Sequence, residues 1–106
     1  MKRTVKIIRI GEERSGQSER GNWKVREIDV TWDDISPSGE PFDQSVCAQL
    51  SGEIAEEALE ALKWHMKEGT KFEARIYFGL SAGSNGRTFN RVRIYLPKEA
   101  YEIPAL

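Results

Sequence analysis

Residues 51–70 read SGEIAEEALEALKWHMKEGT, the one stretch of the chain whose apolar residues recur with helical spacing. At 100° per residue, Ile54, Ala55, Ala58, Leu59, Leu62, His65 and Met66 fall within an arc of about 140°, the mark of a helix with one buried face. Ser51 is the candidate N-cap. Glu53, Glu56 and Glu57 complement the positive end of the helix dipole, and Gly69 is placed to close the last turn in the left-handed conformation. These signals predict a helix over residues 52–68 with an acidic outer face.

Working outward from that helix, every other patterned segment has the period of a strand. Three runs precede it (residues 4–10, 23–32 and 44–50) and two follow (71–80 and 88–96). The third run sets Val46, Ala48 and Leu50 against Ser45, Cys47 and Gln49. The fourth sets Phe72, Ala74, Ile76 and Phe78 against Glu73, Arg75 and Tyr77, and the fifth sets Val92, Ile94 and Leu96 against Arg91, Arg93 and Tyr95. Alternation of this kind marks strands with one buried face. The first two runs switch parity part-way: Val5 and Ile7 give way to Ile8 and Ile10, and Trp23 and Val25 to Ile28, Val30 and Trp32. A bulge or a strongly coiled barrel strand produces such a switch, and in the second run it is expected near Arg26 and Glu27.

Three strands, a helix and two strands is the order of the five-stranded, Greek-key OB-fold barrel, all-β except for the helix between strands three and four. The helix is expected to plug one end. The chain reads as a single domain over residues 1–106, with the barrel at about 4–96. The tail, 97–106, either covers a barrel edge or lies against a partner. Segments 11–22, 33–43 and 81–87 read as long loops, the last with Asn85 and Gly86 as a hairpin turn.

The chain has 106 residues, 39% hydrophobic and 31% charged, the size and composition of one globular domain. No apolar run reaches the roughly 18 residues that would cross a bilayer, and the basic N-terminus reads as an alternating strand rather than a leader. The single cysteine, Cys47, has no internal partner for a disulfide, so a cytoplasmic location is expected. The net charge of −1 argues against strong non-specific nucleic-acid binding. The charge is nevertheless segregated: residues 2–30 carry +3 and 71–95 carry +4, whereas 33–43 carry −4 and 53–68 carry −3. A ligand responds to that local field rather than to the total.

Enzymatic chemistry finds no support. His65 sits at the edge of the helix's apolar arc, where a packed histidine is the expectation, and Cys47 has no basic neighbour in its pattern to activate it. Asp33 and Asp34 precede Pro37 in a turn-forming segment. The glycines of residues 11–21 match neither a dinucleotide fingerprint nor a P-loop. No catalytic residue, metal set or cofactor is expected.

Basic and aromatic residues do interleave. Arg75 and Tyr77 share a face of the fourth run, as do Arg91, Arg93 and Tyr95 in the fifth, with Arg87 and Phe89 at its entry. Trp23, Lys24 and Arg26 stand where the second run begins. Single-strand binders combine a cationic groove with aromatic platforms on which bases stack. The OB-fold uses its outer sheet face and the loops joining strands one–two and four–five for this purpose. The candidate nucleic-acid-binding set is therefore Trp23, Lys24, Arg26, Arg75, Tyr77, Arg87, Phe89, Arg91 and Arg93. Ordinary solvent-facing strand residues, with Trp23 capping the core, account for the same pattern. Trp64 falls among Glu57, Glu60 and Glu68, opposite the apolar arc. There it either offers a protein-contact or self-association surface or is covered by segment 33–43 with Phe42.

Several short motifs carry a resemblance: Gly21-Asn22-Trp23-Lys24, Leu50-Ser51-Gly52, Lys67-Glu68-Gly69-Thr70, Asn85-Gly86-Arg87-Thr88-Phe89 and Arg91-Val92-Arg93-Ile94. Through them residues 4–96 resemble the single-stranded DNA-binding-protein-like OB-folds, closest to a bacterial group classed as a domain of unknown function. The resemblance implies binding of single-stranded nucleic acid, DNA foremost, by an accessory factor of replication or recombination. The chain departs from well-studied members in lacking a disordered acidic tail and a net basic charge, which points away from general strand coating. The second reading is a non-enzymatic protein-interaction or oligomerisation module, a homodimer or higher oligomer formed through Trp64 or an open strand edge.

Overall fold

The alternating runs pair into a closed barrel. In the computed structural model, which describes residues 1–19, 21–82 and 88–104, the strands are β1 (Lys2–Ser18), β2 (Gly21–Ile35), β3 (Pro41–Ser51), β4 (Lys71–Ala82) and β5 (Thr88–Tyr95). One helix, α1 (Glu56–Glu68), lies between β3 and β4, and a 3₁₀ turn, Lys98–Tyr101, follows β5. The strand order around the barrel is β1-β2-β3-β5-β4, closed by pairing of β4 residues 71–75 with β1 residues 2–6. Neighbours are antiparallel except β3 and β5, which run parallel and meet at Gln49 and Arg93. This is the OB-like architecture expected from the element order.

Inward-facing side chains of all five strands fill the barrel: Val5 and Ile7, Ile28, Val30 and Trp32, Ala48 and Leu50, Phe72, Ala74 and Ile76, and Ile94. Leu62 of α1 joins the same cluster and is fully buried. Removing apolar area from water at about 25 cal/mol per Å² is the main force that selects this register, because a slip by one residue would turn each strand's apolar face outward.

The boundaries differ from expectation in instructive ways. Most of segment 11–22 is strand rather than loop, since β1 and β2 run on as a two-stranded ribbon to Ser18 opposite Gly21. Segment 33–43 likewise contracts to a short turn, with Ile35 paired to Pro41 and the Ser36 carbonyl accepting from the Gly39 N–H at 2.8 Å. The bulges lie in β1, not at Arg26 and Glu27 of β2. The register slips between Ile7 and Arg9 and again between Ile10 and Glu13, whereas β2 pairs with β3 without a break from Val25 to Ile35. The extra residue leaves Ile8 48% exposed and returns Ile10 to the core. Phe78 has inward parity but is 60% exposed, because the β4–β5 hairpin continues past the barrel. The expected Asn85-Gly86 turn lies outside the described residues.

Helix α1 begins at Glu56, not at residue 52. Ser51 is occupied as the last β3 residue, opposite Val25, and Gly52, at φ 96°, turns the chain away while its N–H reaches the Lys24 carbonyl at 2.8 Å. The N-cap is Ala55, without a side-chain cap. The C-terminal signal holds. Gly69 is left-handed at φ 70°, and the Gly69 and Thr70 N–H groups bond the Met66 and His65 carbonyls at 3.3 and 3.1 Å, a Schellman closure. Among the described residues no helix is long and apolar enough to cross a membrane.

The tail docks on this helix. His65 is 3% exposed, and its Nε2–H points to the carbonyls of Glu102 at 2.7 Å and Glu99 at 3.1 Å. Carbonyls only accept, so Nε2 carries a hydrogen, while Nδ1 is hydrogen-bonded to the Thr70 hydroxyl at 3.0 Å. The ring also stands edge-on to Phe72, with centroids 4.8 Å apart, while Ala100 of the 3₁₀ turn is fully buried. His65→Phe keeps the ring packing but orphans the Glu99 and Glu102 carbonyls. A loss of about 1–3 kcal/mol in urea denaturation is expected, with faster amide exchange confined first to residues 98–102.

Candidate nucleic-acid interface

Barrel closure places one cross-strand row on the outer face of β2, β3, β5 and β4. Register sets Glu27 opposite Gln49, Gln49 opposite Arg93, and Arg93 opposite Tyr77. At roughly 4.8 Å per strand the row spans about 14 Å. Arg75 and Tyr95 face one another one step further along β4 and β5, and Gly79 faces Arg91 on the other side. Tyr77 and Tyr95 meet edge-to-face at 5.6 Å and remain 49% and 52% exposed.

A hollow flanks this row on each side, and Arg93 lines both. The first is bounded by Arg75, Tyr77, Tyr95, Leu96 and Pro97, with Glu73 and Glu99 at its edge. The second is bounded by Trp23, Lys24, Val25, Ser51, Arg91, Arg14 and Asn22. The outer face is thus one continuous surface with an indole at one end, a tyrosine pair at the other and arginines between.

Trp23 is held in place by a missing methyl group. It pairs with Gly16 of β1 across the ribbon, and a Cβ built on Gly16 would fall 2.6 Å from the indole Cε2 and 3.0 Å from Nε1. The ring therefore lies directly on the β1 backbone, 45% exposed. Gly16 is not among the sequence candidates, because only the strand register reveals its neighbour.

The cations of this region divide by their partners. Lys24 is engaged with Glu53 at 3.3 Å and Glu13 at 3.7 Å, and its hydrogen bond to Glu53 is the main reason its pKa is raised. Arg14 binds Glu27 at 2.5 Å. Arg9 grips Asp29 through Nε at 2.7 Å and Nη2 at 3.2 Å. Arg26 has core parity opposite Leu50; it is half-buried and donates from Nη1 to the Gly11 carbonyl at 2.6 Å. It therefore braces the bulged stretch of β1 rather than facing the groove. Arg75 and Arg93 have no carboxylate within ion-pair distance among the described residues, and Arg91 is exposed beside them.

Of the sequence candidates, the structure gathers Trp23, Lys24, Tyr77, Arg75, Arg91 and Arg93 on this face and sets Arg26 apart. Arg87 lies outside the described residues, as does the side chain of Phe89. Trp64 is half-buried rather than fully exposed, with its ring edge-on to the buried His65 at 4.9 Å. Phe42 stands in β3 opposite Asp34, 41% exposed. Gln49 and Arg14 join the site unforeseen, Gln49 because a polar residue on a polar strand face carries no distinguishing signal. A scan of protein-family models, a search of curated proteins and a search of solved structures each return no match for this chain.

Gly16→Ala should shift the Trp23 indole N–H resonance and leave those of Trp32 and Trp64 in place; three unchanged resonances would contradict the close approach of ring and backbone. A second outcome concerns pH. The hydrogen bond from Arg9 holds the Asp29 carboxyl below its ordinary range. Asp29 therefore stabilises the fold at pH above the ordinary carboxylate pKa, and that contribution disappears as pH falls through the depressed folded value. Thermal melts of Arg9→Met should lie below wild type at neutral pH and converge with it in strong acid.

Proposed function

We propose that this chain binds single-stranded nucleic acid along the outer face of β2, β3, β5 and β4. The observation that carries the reading is the alternation on that face of aromatic platforms, Trp23, Tyr77 and Tyr95, with Arg75, Arg91 and Arg93. Arg75 and Arg93 are cations without internal carboxylate partners among the described residues. Bases stack on such rings whatever their identity, and arginines neutralise the phosphates between them. Gln49, at the centre of the cross-strand row, offers both a donor and an acceptor.

The electrostatics suit a modest binder. Glu27 and Asp29 border the face but are already matched by Arg14 and Arg9, while Glu73 and Glu99 stand at its far edge. The positive field is therefore local, and binding is expected to be moderate and steeply salt-dependent. In this reading the chain belongs with the single-stranded DNA-binding-protein-like OB-folds, as a cytoplasmic, bacterial accessory factor of replication or recombination with DNA as its first ligand.

Fluorescence anisotropy of labelled oligo-dT, titrated at low and at moderate salt, tests the proposal. Binding should weaken as salt rises. Removing one phosphate-binding cation, in Arg91→Ala or Arg93→Ala, should flatten the log–log salt slope by about 0.7. Tyr77→Ala should cost about 1–3 kcal/mol of affinity with little change in that slope. Absence of binding at low salt would overturn the reading.

A further inference from the structure

The β4–β5 hairpin outruns the barrel, and one of its edges is unpaired. On the β1 side, β4 is paired from Lys71 to Arg75, and Ile76 exchanges backbone hydrogen bonds with Met1, N–H to O at 2.8 Å and the Met1 amine to the Ile76 carbonyl at 3.0 Å. No described residue pairs with that edge beyond Ile76, although β4 stays paired to β5 as far as Ala82 opposite Thr88. Backbone groups alternate along a strand. Because Ile76 directs its N–H and C=O toward β1, Phe78 and Leu80 direct theirs to the same open side.

This edge carries none of the usual guards against pairing. Between Arg75 and Arg87 there is no charged residue and no proline, in a chain that is 31% charged. Lysines, prolines and bulges are how exposed edges are normally protected. Phe78 and Leu80 are 60% and 73% exposed, and they project on the same face as the buried Ala74 and Ile76. A two-stranded ribbon alone is marginal in water, whereas a sheet of more strands with an apolar stripe is stable.

We propose that this edge pairs with the same edge of a second copy of the chain, antiparallel about a twofold axis, to form a four-stranded sheet. Such an interface is isologous, so every outward N–H meets a C=O by symmetry. The choice of a second copy rests on charge. The uncharged β4 edge meets its own image without like-charge repulsion, while the β5 edge would bring Arg91 toward its own image. The twofold also sets Phe78 and Leu80 of both copies on one face as a single apolar stripe. On the opposite face it brings Tyr77 of both copies onto adjacent strands, with each Arg91 one strand further out on β5. The pairing does not depend on nucleic-acid binding.

Sedimentation velocity from low to high micromolar concentration reads the outcome. Wild type should move from monomer to twice that mass, Leu80→Lys should remain monomeric with unchanged far-ultraviolet circular dichroism, and Trp64→Ala should dimerise like wild type. Leu80→Pro, which removes an outward N–H without breaking the ladder to β5, should also be monomeric. A wild type that is monomeric throughout overturns the proposal. So does a dimer that survives both Leu80 variants, or one abolished in Trp64→Ala, or an edge that takes up only a foreign strand. A monomer that binds oligo-dT would overturn the pairing and leave the groove reading intact, and a dimer that ignores oligo-dT would do the reverse.

Discussion

Closing five strands into a barrel requires one strand to pair with neighbours on two different sides of the structure, and here that strand is β1. Its first residues pair with β4 and its remainder with β2, so it must bend sharply in between. Two bulges supply the bend, one at Ile8 and one between Ile10 and Glu13. The bend brings β4 beside β5 and β5 beside β3, and thereby aligns Gln49, Arg93 and Tyr77 across three strands. Without the first bulge Ile10 would point to solvent. Without the second, the Gly11 carbonyl would not be presented to Arg26, and Gly16 would not fall opposite Trp23.

Charge on the barrel surface is organised by how it is compensated rather than by how much there is. The outer face of β1 and β2 is rich in both signs, and its arginines are tied to Asp29 and Glu27 at short distance. Such exposed pairs add little stability, but they cancel the acids nearest the groove. Among the described residues, Arg75 of β4 and Arg93 of β5 have no equivalent carboxylate partner. The surface field therefore rises toward β4 and β5, a gradient that a near-neutral total conceals.

Much of this is legible in residue patterns, and the departures share a physical basis. Strand β3 and the buried part of β4 can be read because one face of each is apolar and the other polar. The β1 half of the ribbon beyond Ile10 cannot, since residues 11–18 include no apolar side chain and period two leaves no trace. Gly69 announces the end of α1 because few residues but glycine tolerate its φ. Ser51 misleads because a good capping residue is already engaged in pairing with Val25. Phe78 has the right parity, yet parity does not say where the barrel stops. Arg26 looks like a surface cation by type, although its place in the series with Ile28, Val30 and Trp32 puts it on the inner face. Trp23 is visible as a lone aromatic at a strand entry, while Gly16 acquires meaning only from its cross-strand partner.

The attachment of residues 98–102 to His65 bears on where the folding unit ends. A boundary drawn by strands would stop at Tyr95, after the last barrel hydrogen bonds. That cut would strip the cover from His65 beside Phe72 and remove Ala100 from the core cluster. It would leave a polar ring facing water through an apolar rim. The barrel, its helix and the short turn clasped to it therefore share one continuous core.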